Sequence, residues 1–257
     1  MKFCKYILGV KKSTNNNAIL GELGRFPFHI IWFFRIFRYW IKILKNKESL
    51  LYNVYCVLRT DADSGNNYNG LNWASNVKKL LETLGLFDVW LNQDFFVPSF
   101  NVIRQRICDN FLQTWNESIN DSVKLHTYSL FKKELKFEKY LDVIRETSLS
   151  NIVSRFRLSS HELFIETGRY SNIPRQLRIC KCCNMNVIEN EFHFLLVCPL
   201  YRDLRKIHFK NYFCHWPTIY RPKFNVLLMS QSEKVLYNLS KYLRDAFKLR
   251  ESYIEQL

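Results

Sequence analysis

Glycine and proline are scarce in this sequence. The 257 residues include only 7 Gly and 6 Pro. This composition argues against a disordered chain and against an all-β fold rich in turns. Hydrophobic residues make up 47% of the chain and aromatic residues 16%, which is enough to form a sizeable core. We therefore predict a mainly α-helical fold, in one large domain or two small ones.

Acidic residues are also few, with 23 Asp and Glu against 38 Lys and Arg, and the formal net charge is +15. Such an excess of positive charge favours an anionic partner. Nucleic acid is the commonest partner of this kind, and an anionic membrane surface is the second. The basic residues are dispersed along the chain and do not form a tail. An ordinary basic protein without an anionic partner is therefore the plain alternative.

The segment at 26–44, FPFHIIWFFRIFRYWIKIL, is long and apolar enough to suggest a membrane span. However, Arg35, Arg38, Lys42 and Lys45 recur at spacings of three and four, so that they share one face of a helix. A membrane-spanning helix would have to bury these cations at considerable cost. We therefore predict an amphipathic helix with one basic stripe, and no membrane partner.

The 8 cysteines do not have the pattern of a secreted, disulfide-bonded protein. The start, MKFCKYILGV, lacks the small-residue cleavage site of a secretory leader. We therefore predict an intracellular protein, in the cytoplasm or nucleus, that is not secreted. Half of the cysteines cluster beside a histidine, which indicates metal binding in a reducing compartment. The scattered ones, which we expect to be buried thiols, are Cys4, Cys56, Cys108 and Cys214.

The cluster at 180–199, CKCCNMNVIENEFHFLLVCP, has the spacing of a zinc site. Its best ligand frame is Cys180-x2-Cys183-x9-His193-x4-Cys198. Three thiolates and one imidazole satisfy tetrahedral Zn²⁺ with no open position, which is typical of a structural site. Cys182 could replace Cys180 or Cys183 by a slip in the frame, and the metal-free alternative is a set of buried thiols with a core histidine. The predicted fold is thus a multi-helix domain with a small zinc-knuckle-like insertion toward the C-terminus.

Local signals predict several helix boundaries. A short helix should cover Asn17 to Leu23 and end at Gly24, and a long one should begin at Pro27. The polar segment at 61–70, DADSGNNYNG, reads as a loop. The last helix should follow a capping box formed by Ser230 and Glu233.

A family resemblance rests on the segment at 172–205, NIPRQLRICKCCNMNVIENEFHFLLVCPLYRDLR. It resembles the C-terminal cysteine–histidine segment of non-LTR (LINE-type) retrotransposon reverse transcriptases. Two earlier segments, KYILGVKKSTNNNAILGELGRFP with the following RIFRYW, and LNWASNVKKLLETLGL, are similar to the region after the polymerase palm. The residues that match the cysteine–histidine pattern are Cys180, Cys183, Glu191, His193, Leu195, Cys198, Pro199, Tyr201 and Arg205.

The resemblance implies four segments. They are a helical region at 1–60 like the post-palm or thumb region, a helical linker domain at 61–165, the CCHC zinc-knuckle segment at 166–210 and a C-terminal helical tail at 211–257. The family's polymerase centre needs an Asp-Asp pair, and some relatives carry a nuclease with a Pro-Asp dyad. Neither dipeptide occurs in this sequence. We therefore expect a non-catalytic remnant and not an enzyme.

The expected role is nucleic-acid binding around a structural Zn²⁺, with RNA preferred, DNA possible and no small-molecule substrate. Phe192 and Tyr201 are candidates to stack on unpaired bases. The alternatives are a degenerate or scaffold protein without activity, and an accessory part of an RNA-directed DNA polymerase whose palm is missing from this chain. The predicted phosphate contacts are Arg35, Arg38, Lys42, Arg175, Arg178, Lys181, Arg202, Arg205 and Lys206.

Overall fold

The structure, a computed structural model, describes residues 1–65, 72–93, 97–214 and 221–256. The predicted fold class is confirmed, because the described residues are mainly helical, with a cysteine–histidine cluster toward the C-terminus. The α-helices are α1 Lys2–Ile7, α2 Asn16–Leu23, α3 Phe28–Lys45, α4 Leu50–Asp63, α5 Trp73–Thr83, α6 Phe87–Asn92, α7 Val97–Asn120, α8 His126–Phe131, α9 Lys139–Val143, α10 Thr147–Arg157, α11 Phe164–Tyr170, α12 Arg202–His208, α13 Asn211–Cys214, α14 Arg221–Leu228 and α15 Glu233–Ile254. Short 3₁₀ turns lie at Val123–Leu125, Arg175–Leu177 and Pro199–Tyr201, and a π turn lies at His193–Val197.

The chain divides into two compact units. The larger unit combines Met1–Arg25 with Asn116–Leu257, and the smaller unit is Phe26–Trp115. The four segments predicted from the sequence follow the order of the chain, whereas these units follow proximity in space. The segment boundaries therefore stay a prediction.

The smaller unit is built around aromatic side chains. Trp40 and Trp90 stack with ring centroids 6.3 Å apart, and both are fully buried. The indole N–H of Trp40 donates to Tyr55 Oη at 2.9 Å, and that hydroxyl donates to Gln93 Oε1 at 2.7 Å. Burial of large rings stabilises a small core, and the hydrogen bonds of their polar atoms offset the cost of removing those atoms from water.

One sequence prediction in the smaller unit is wrong. Asp61 and Asp63 were predicted to lie in a loop, but α4 continues to Asp63. The side chain of Asp63 accepts hydrogen bonds from Trp90 Nε1 at 2.9 Å and from Lys78 Nζ at 3.0 Å. These contacts from distant residues extend the helix beyond what the local turn residues suggest. Residues 66–70 of the predicted loop lie outside the described part of the chain.

The larger unit packs α10 and α12 against the long helix α15. Its core includes a buried ion network. The guanidinium of Arg157 donates two hydrogen bonds to Glu22, at 2.8 and 2.9 Å, and one to Glu138 at 2.8 Å. Lys132 pairs with the other oxygen of Glu138. Each buried charge thus has a partner of opposite sign, which such burial requires.

Helix boundaries follow local chemistry in most places. Gly24 ends α2 in the left-handed conformation, with φ 58°, as the sequence predicts, and α3 begins at Phe28 with Pro27 as its N-cap, one residue later than predicted. The capping box at 230–233 is wrong, because α15 begins at Glu233 with Ser232 as its N-cap and no side-chain cap. Ser230 Oγ instead accepts a hydrogen bond from the backbone N–H of Ser232.

Two further expectations concern exposure. Cys56 is exposed, and Cys4 and Cys108 are half-buried, so these three cysteines are not core thiols as predicted. The side chain of Cys214 lies outside the described part of the chain. None of the described helices combines the length and the apolar character that a membrane span needs.

Candidate metal centre

The first two donors of the cluster sit on a short hairpin. Ile179 and Ile188 form an antiparallel bridge, and the backbone N–H of Cys180 donates to Val187 O at 2.8 Å. The turn between them includes Asn186 with φ 54°, a left-handed conformation that asparagine adopts more readily than most residues. The hairpin holds Cys180 at its base and leaves the cysteines of the turn facing back toward it.

The other two donors sit on a capped π turn. Asn190 Oδ1 accepts the backbone N–H of His193 at 2.8 Å and caps the start of the turn. At its end the backbone N–H of Cys198 donates to His193 O at 2.8 Å. This wide i to i+5 turn, a form common at functional sites, ties His193 to Cys198 across the turn. The spacing of five residues therefore has a defined structural basis.

These two local structures bring the predicted donors together. The ligand atoms of Cys180, Cys183, His193 and Cys198 all lie within 4.8 Å of one another. Cys183 Sγ lies 3.5 Å from His193 Nε2. Cys183 is half-buried and the other three are buried. The four residues could hold a metal ion in a largely enclosed site.

The chemistry of the donors fits a bound cation. Burial, opposed by the negative charge of Glu189 and aided by the positive charge of Arg205, lowers the pKa of His193 to about 4, so the imidazole is neutral at pH 7 and offers a lone pair. Its buried Nδ1 atom has no hydrogen-bond partner among the described residues. The nitrogen that lies beside Cys183 is Nε2, so this atom is the candidate ligand.

The thiol of Cys180 is difficult to ionise without a metal. A hydrogen bond with Cys182 favours its thiolate, but a hydrogen bond with Cys198 and desolvation by burial outweigh this and raise the pKa of Cys180 well above its usual range. A divalent cation reverses this balance, because it stabilises the thiolates that it binds.

A second group of possible ligand atoms includes Cys182, the cysteine of the cluster that is not in the predicted ligand set. The ligand atoms of Cys180, Cys182 and Glu189 also lie within 4.8 Å of one another. However, Glu189 already accepts two hydrogen bonds from Arg250, at 2.7 and 2.8 Å, and one from Phe164 N at 2.6 Å. A carboxylate with these partners is a poor ligand for a further ion, so the first group is the better candidate.

Sequence reasoning found the four donors but missed the residues that support them. Glu191 is fully buried and accepts hydrogen bonds from Thr127 at 2.9 Å, Ser159 at 3.3 Å and His161 at 3.1 Å. These contacts tie the segment between the hairpin and the π turn to two distant parts of the larger unit, the start of α8 and the segment after α10. The resemblance marked Glu191 as a matching position, but no signal in the sequence indicated its partners.

Three of the predicted nucleic-acid contacts have other roles in the structure. Arg205 is buried and donates to Cys198 O at 2.7 Å, so its guanidinium is not available to phosphate. Arg178 is half-buried, and it donates to two backbone carbonyls, those of Ile173 and Ile165, both at 2.8 Å. Tyr201, predicted to stack on a base, is buried. These side chains stabilise the centre and its surroundings.

The remaining predicted contacts are at the surface. In the smaller unit they lie on α3, and in the larger unit they lie before, within and after the metal centre. Lys206 is paired with Asp203 at 3.1 Å, and Lys181 lies over the ring of Phe164 at 5.4 Å. The exposed predicted contacts are Arg35, Arg38, Lys42, Arg175, Lys181, Arg202 and Lys206.

The geometry limits the chemistry of the site. A tetrahedral ion held by three sulfurs and one nitrogen has no position left for a water or a substrate, so the arrangement suits a structural role. Among the residues that the structure describes, the two groups given above are the clusters whose donor atoms converge. No family model, no curated protein and no solved structure matches this chain.

Proposed function

We propose that this protein is a non-catalytic nucleic-acid-binding protein whose larger unit is stabilised by a structural Zn²⁺ bound to Cys180, Cys183, His193 and Cys198. Zinc is the preferred ion because three thiolates and one imidazole in a closed site match its usual ligands. RNA is the preferred partner and DNA is possible. The resemblance to the C-terminal region of non-LTR retrotransposon reverse transcriptases supports the same assignment.

The observation that carries this proposal is the exposed face of α3. Arg35, Arg38 and Lys42 are exposed on this helix, and Trp32 and Tyr39 are 49% and 47% exposed. Their spacings of three and four place them on neighbouring positions of one helical surface. No acidic residue occurs between Phe28 and Lys45.

Interleaved cations and aromatic rings suit single-stranded nucleic acid better than a duplex. Cations neutralise the phosphates, and exposed rings stack on unpaired bases of any sequence. A membrane-binding helix usually separates its basic and apolar faces. On α3 the exposed apolar and basic residues alternate, which favours a nucleic-acid strand.

The test is a titration of full-length protein with a fluorescent single-stranded RNA across a range of salt concentrations, paired with a measurement of the zinc content. We expect one equivalent of zinc and an affinity that falls as salt rises, because phosphate contacts release counterions. A triple Arg35→Ala, Arg38→Ala, Lys42→Ala variant should bind more weakly. The salt slope should fall by about 2, since each phosphate contact contributes about 0.7 for single strands.

The chain offers a matched control on α15. Lys234, Lys241 and Lys248 are exposed, and their replacement by alanine removes the same number of positive charges. This variant should keep most of the affinity. Equal losses in the two variants would mean that net charge alone drives binding. Absence of binding at low salt would favour the scaffold alternative and would contradict the proposal.

A further inference from the structure

A cleft of about 690 Å³ lies within the larger unit, apart from the metal centre. The segment after α1 forms one side of it, and α10 and α15 form the others. Its volume is in the range of small-molecule and nucleotide sites. The residues that matter for its chemistry are Lys11, Arg155, His161, Phe247, Glu251 and Glu255.

Two rings contribute to the lining of the cleft. The ring of Phe247 stacks on Phe194 with centroids 4.6 Å apart, and it lies 6.5 Å from the ring of His161 at an interplanar angle of 29°. Both nitrogens of His161 have partners, because Nε2 bonds Glu191 and Nδ1 accepts the backbone N–H of Leu163. The imidazole is thus held in one orientation but is buried, so the half-buried ring of Phe247 is the one of the two that can contact a ligand in the cleft.

One wall of the cleft is basic. Arg155 is exposed and donates through Nε to Gly9 O at 2.6 Å. This bond fixes the guanidinium, while its two terminal nitrogens have no hydrogen-bond partner among the described residues. Lys11 lies on the same side and pairs with Glu162 at 2.6 Å, where both side chains remain partly exposed. An anionic group that enters the cleft would meet a preoriented guanidinium.

Two carboxylates on α15 also line the cleft. Glu251 and Glu255 lie at the C-terminal end of α15, where the helix dipole disfavours negative charge. Neither carboxylate forms an ion pair or hydrogen bond with another side chain in the part of the chain that the structure describes. The nearby Arg250 does not neutralise them directly, since Glu189 binds its guanidinium. These carboxylates are therefore available to accept hydrogen bonds from a ligand.

We propose that this cleft binds an unpaired guanine nucleotide of the RNA, an inference that rests on the proposed function. Guanine offers two neighbouring N–H donors on its Watson–Crick edge, which a carboxylate such as Glu251 can accept together. Its flat ring suits the aromatic lining, and its phosphate suits Arg155. Adenine and cytosine lack this pair of donors, so the carboxylates on α15 should select against them.

The test is isothermal titration of the full-length protein with guanosine 5′-monophosphate, cytidine 5′-monophosphate and guanosine. We expect the guanine nucleotide to bind about fivefold or more tightly than the cytosine nucleotide, since this is the lower end of the discrimination that a bidentate base contact supplies. Guanosine should bind more weakly because it lacks the phosphate. Comparable binding of the two nucleotides, or no binding at millimolar concentration, would overturn the inference.

Two exposed substitutions locate the site. Glu251→Gln should abolish the preference for guanine, and Arg155→Ala should weaken both nucleotides but not guanosine. Lys241→Ala, on α15 but not in the cleft, should change neither. If Glu251→Gln and Arg155→Ala leave binding of the guanine nucleotide unchanged, the nucleotide lies elsewhere. We expect that free tryptophan, a zwitterion with a flat ring, does not compete with guanosine 5′-monophosphate at a similar concentration. If it does, the cleft is an amino-acid site and the inference is wrong.

The two proposals can fail separately. Polycytidylate has no guanine, so its salt-dependent binding reports on α3 and the net charge and not on the cleft. If polycytidylate binds and guanosine 5′-monophosphate does not, the cleft inference alone is wrong. If the mononucleotide binds and no RNA binds at low salt, the proposed function in nucleic-acid binding is wrong. The cleft inference is then wrong as well, because it assigns a nucleotide of RNA as the ligand.

Discussion

At the scale of single residues, position decides which cysteines can bind the metal, because all of them offer the same thiol group. Cys180, Cys183 and Cys198 have sulfur atoms that converge with His193. Cys182 lies between the first two in sequence and is buried, but it converges instead with Glu189, which Arg250 already binds. Neighbouring cysteines should therefore respond differently to the same substitution.

We predict that Cys198→Ser lowers the zinc content and the stability of the larger unit, whereas Cys182→Ser retains one equivalent of zinc. A structural zinc contributes about 10 kcal/mol or more of folding free energy, so the loss of one ligand should cost several kcal/mol. Metal analysis and urea unfolding of both variants check this. Loss of zinc by the Cys182 variant would show that the ligand frame is shifted, and retention of zinc by the Cys198 variant would contradict the site.

Arg157 is a second residue whose removal has a defined cost. It is buried, and Glu22 beside it has no exposed surface. Arg157→Met leaves Glu22 as a buried charge without its main partner, and we expect a loss of about 3–5 kcal/mol in the free energy of unfolding. The double variant Arg157→Met, Glu22→Met removes both charges and should recover part of this loss. Urea unfolding measures both, and equal stability of the single variant and the unaltered protein would contradict the network.

At the scale of helices and turns, Gly24 has a role that other residues cannot fill. It ends α2 with φ 58°, and a Cβ atom there would lie 2.2 Å from the backbone N of Phe137. Gly65 also has a positive φ, of 77°, but a Cβ atom there would meet no atom of the described residues within 4 Å. Gly24→Ala should therefore cost about 3 kcal/mol or more, and Gly65→Ala only about 1 kcal/mol. Thermal unfolding of the two variants separates the steric clash from the backbone strain that they share.

The same scale shows what a sequence can predict. The boundaries at Gly24 and Pro27 were predictable because glycine and proline act on their own backbone. The donor set was predictable because ligand spacing is short-range. The extension of α4 to Asp63 was not, since it depends on Trp90 and Lys78, which are distant in sequence.

The residues that surround and stabilise the metal centre could not be predicted from the sequence either. Arg205 was predicted to be a surface cation, but in the fold it donates a hydrogen bond to Cys198 O. His161 gave no signal, because its partner Glu191 lies 30 residues away. The cleft between α10 and α15 also depends on packing that no local pattern encodes.

At the scale of the whole molecule, the two units should respond differently to metal removal. The smaller unit has its own core, in which Trp40, Tyr55 and Trp90 are buried. The metal centre belongs to the larger unit. We predict that a chelator reduces hydrogen-exchange protection from Cys180 to Cys198 and in α15, whereas protection in α5 is retained. A uniform loss of protection through α5 would mean that the two units unfold together.

The net charge of +15 is a property of the whole molecule, and the same chain brings together four residues that could hold a metal ion. The central claim is that this centre is a closed structural zinc site. X-ray absorption at the zinc edge of the purified protein tests it most directly. We predict three sulfur ligands at about 2.3 Å, one nitrogen at about 2.0 Å and no oxygen. Absence of zinc, or a shell that includes an oxygen ligand, would contradict the claim.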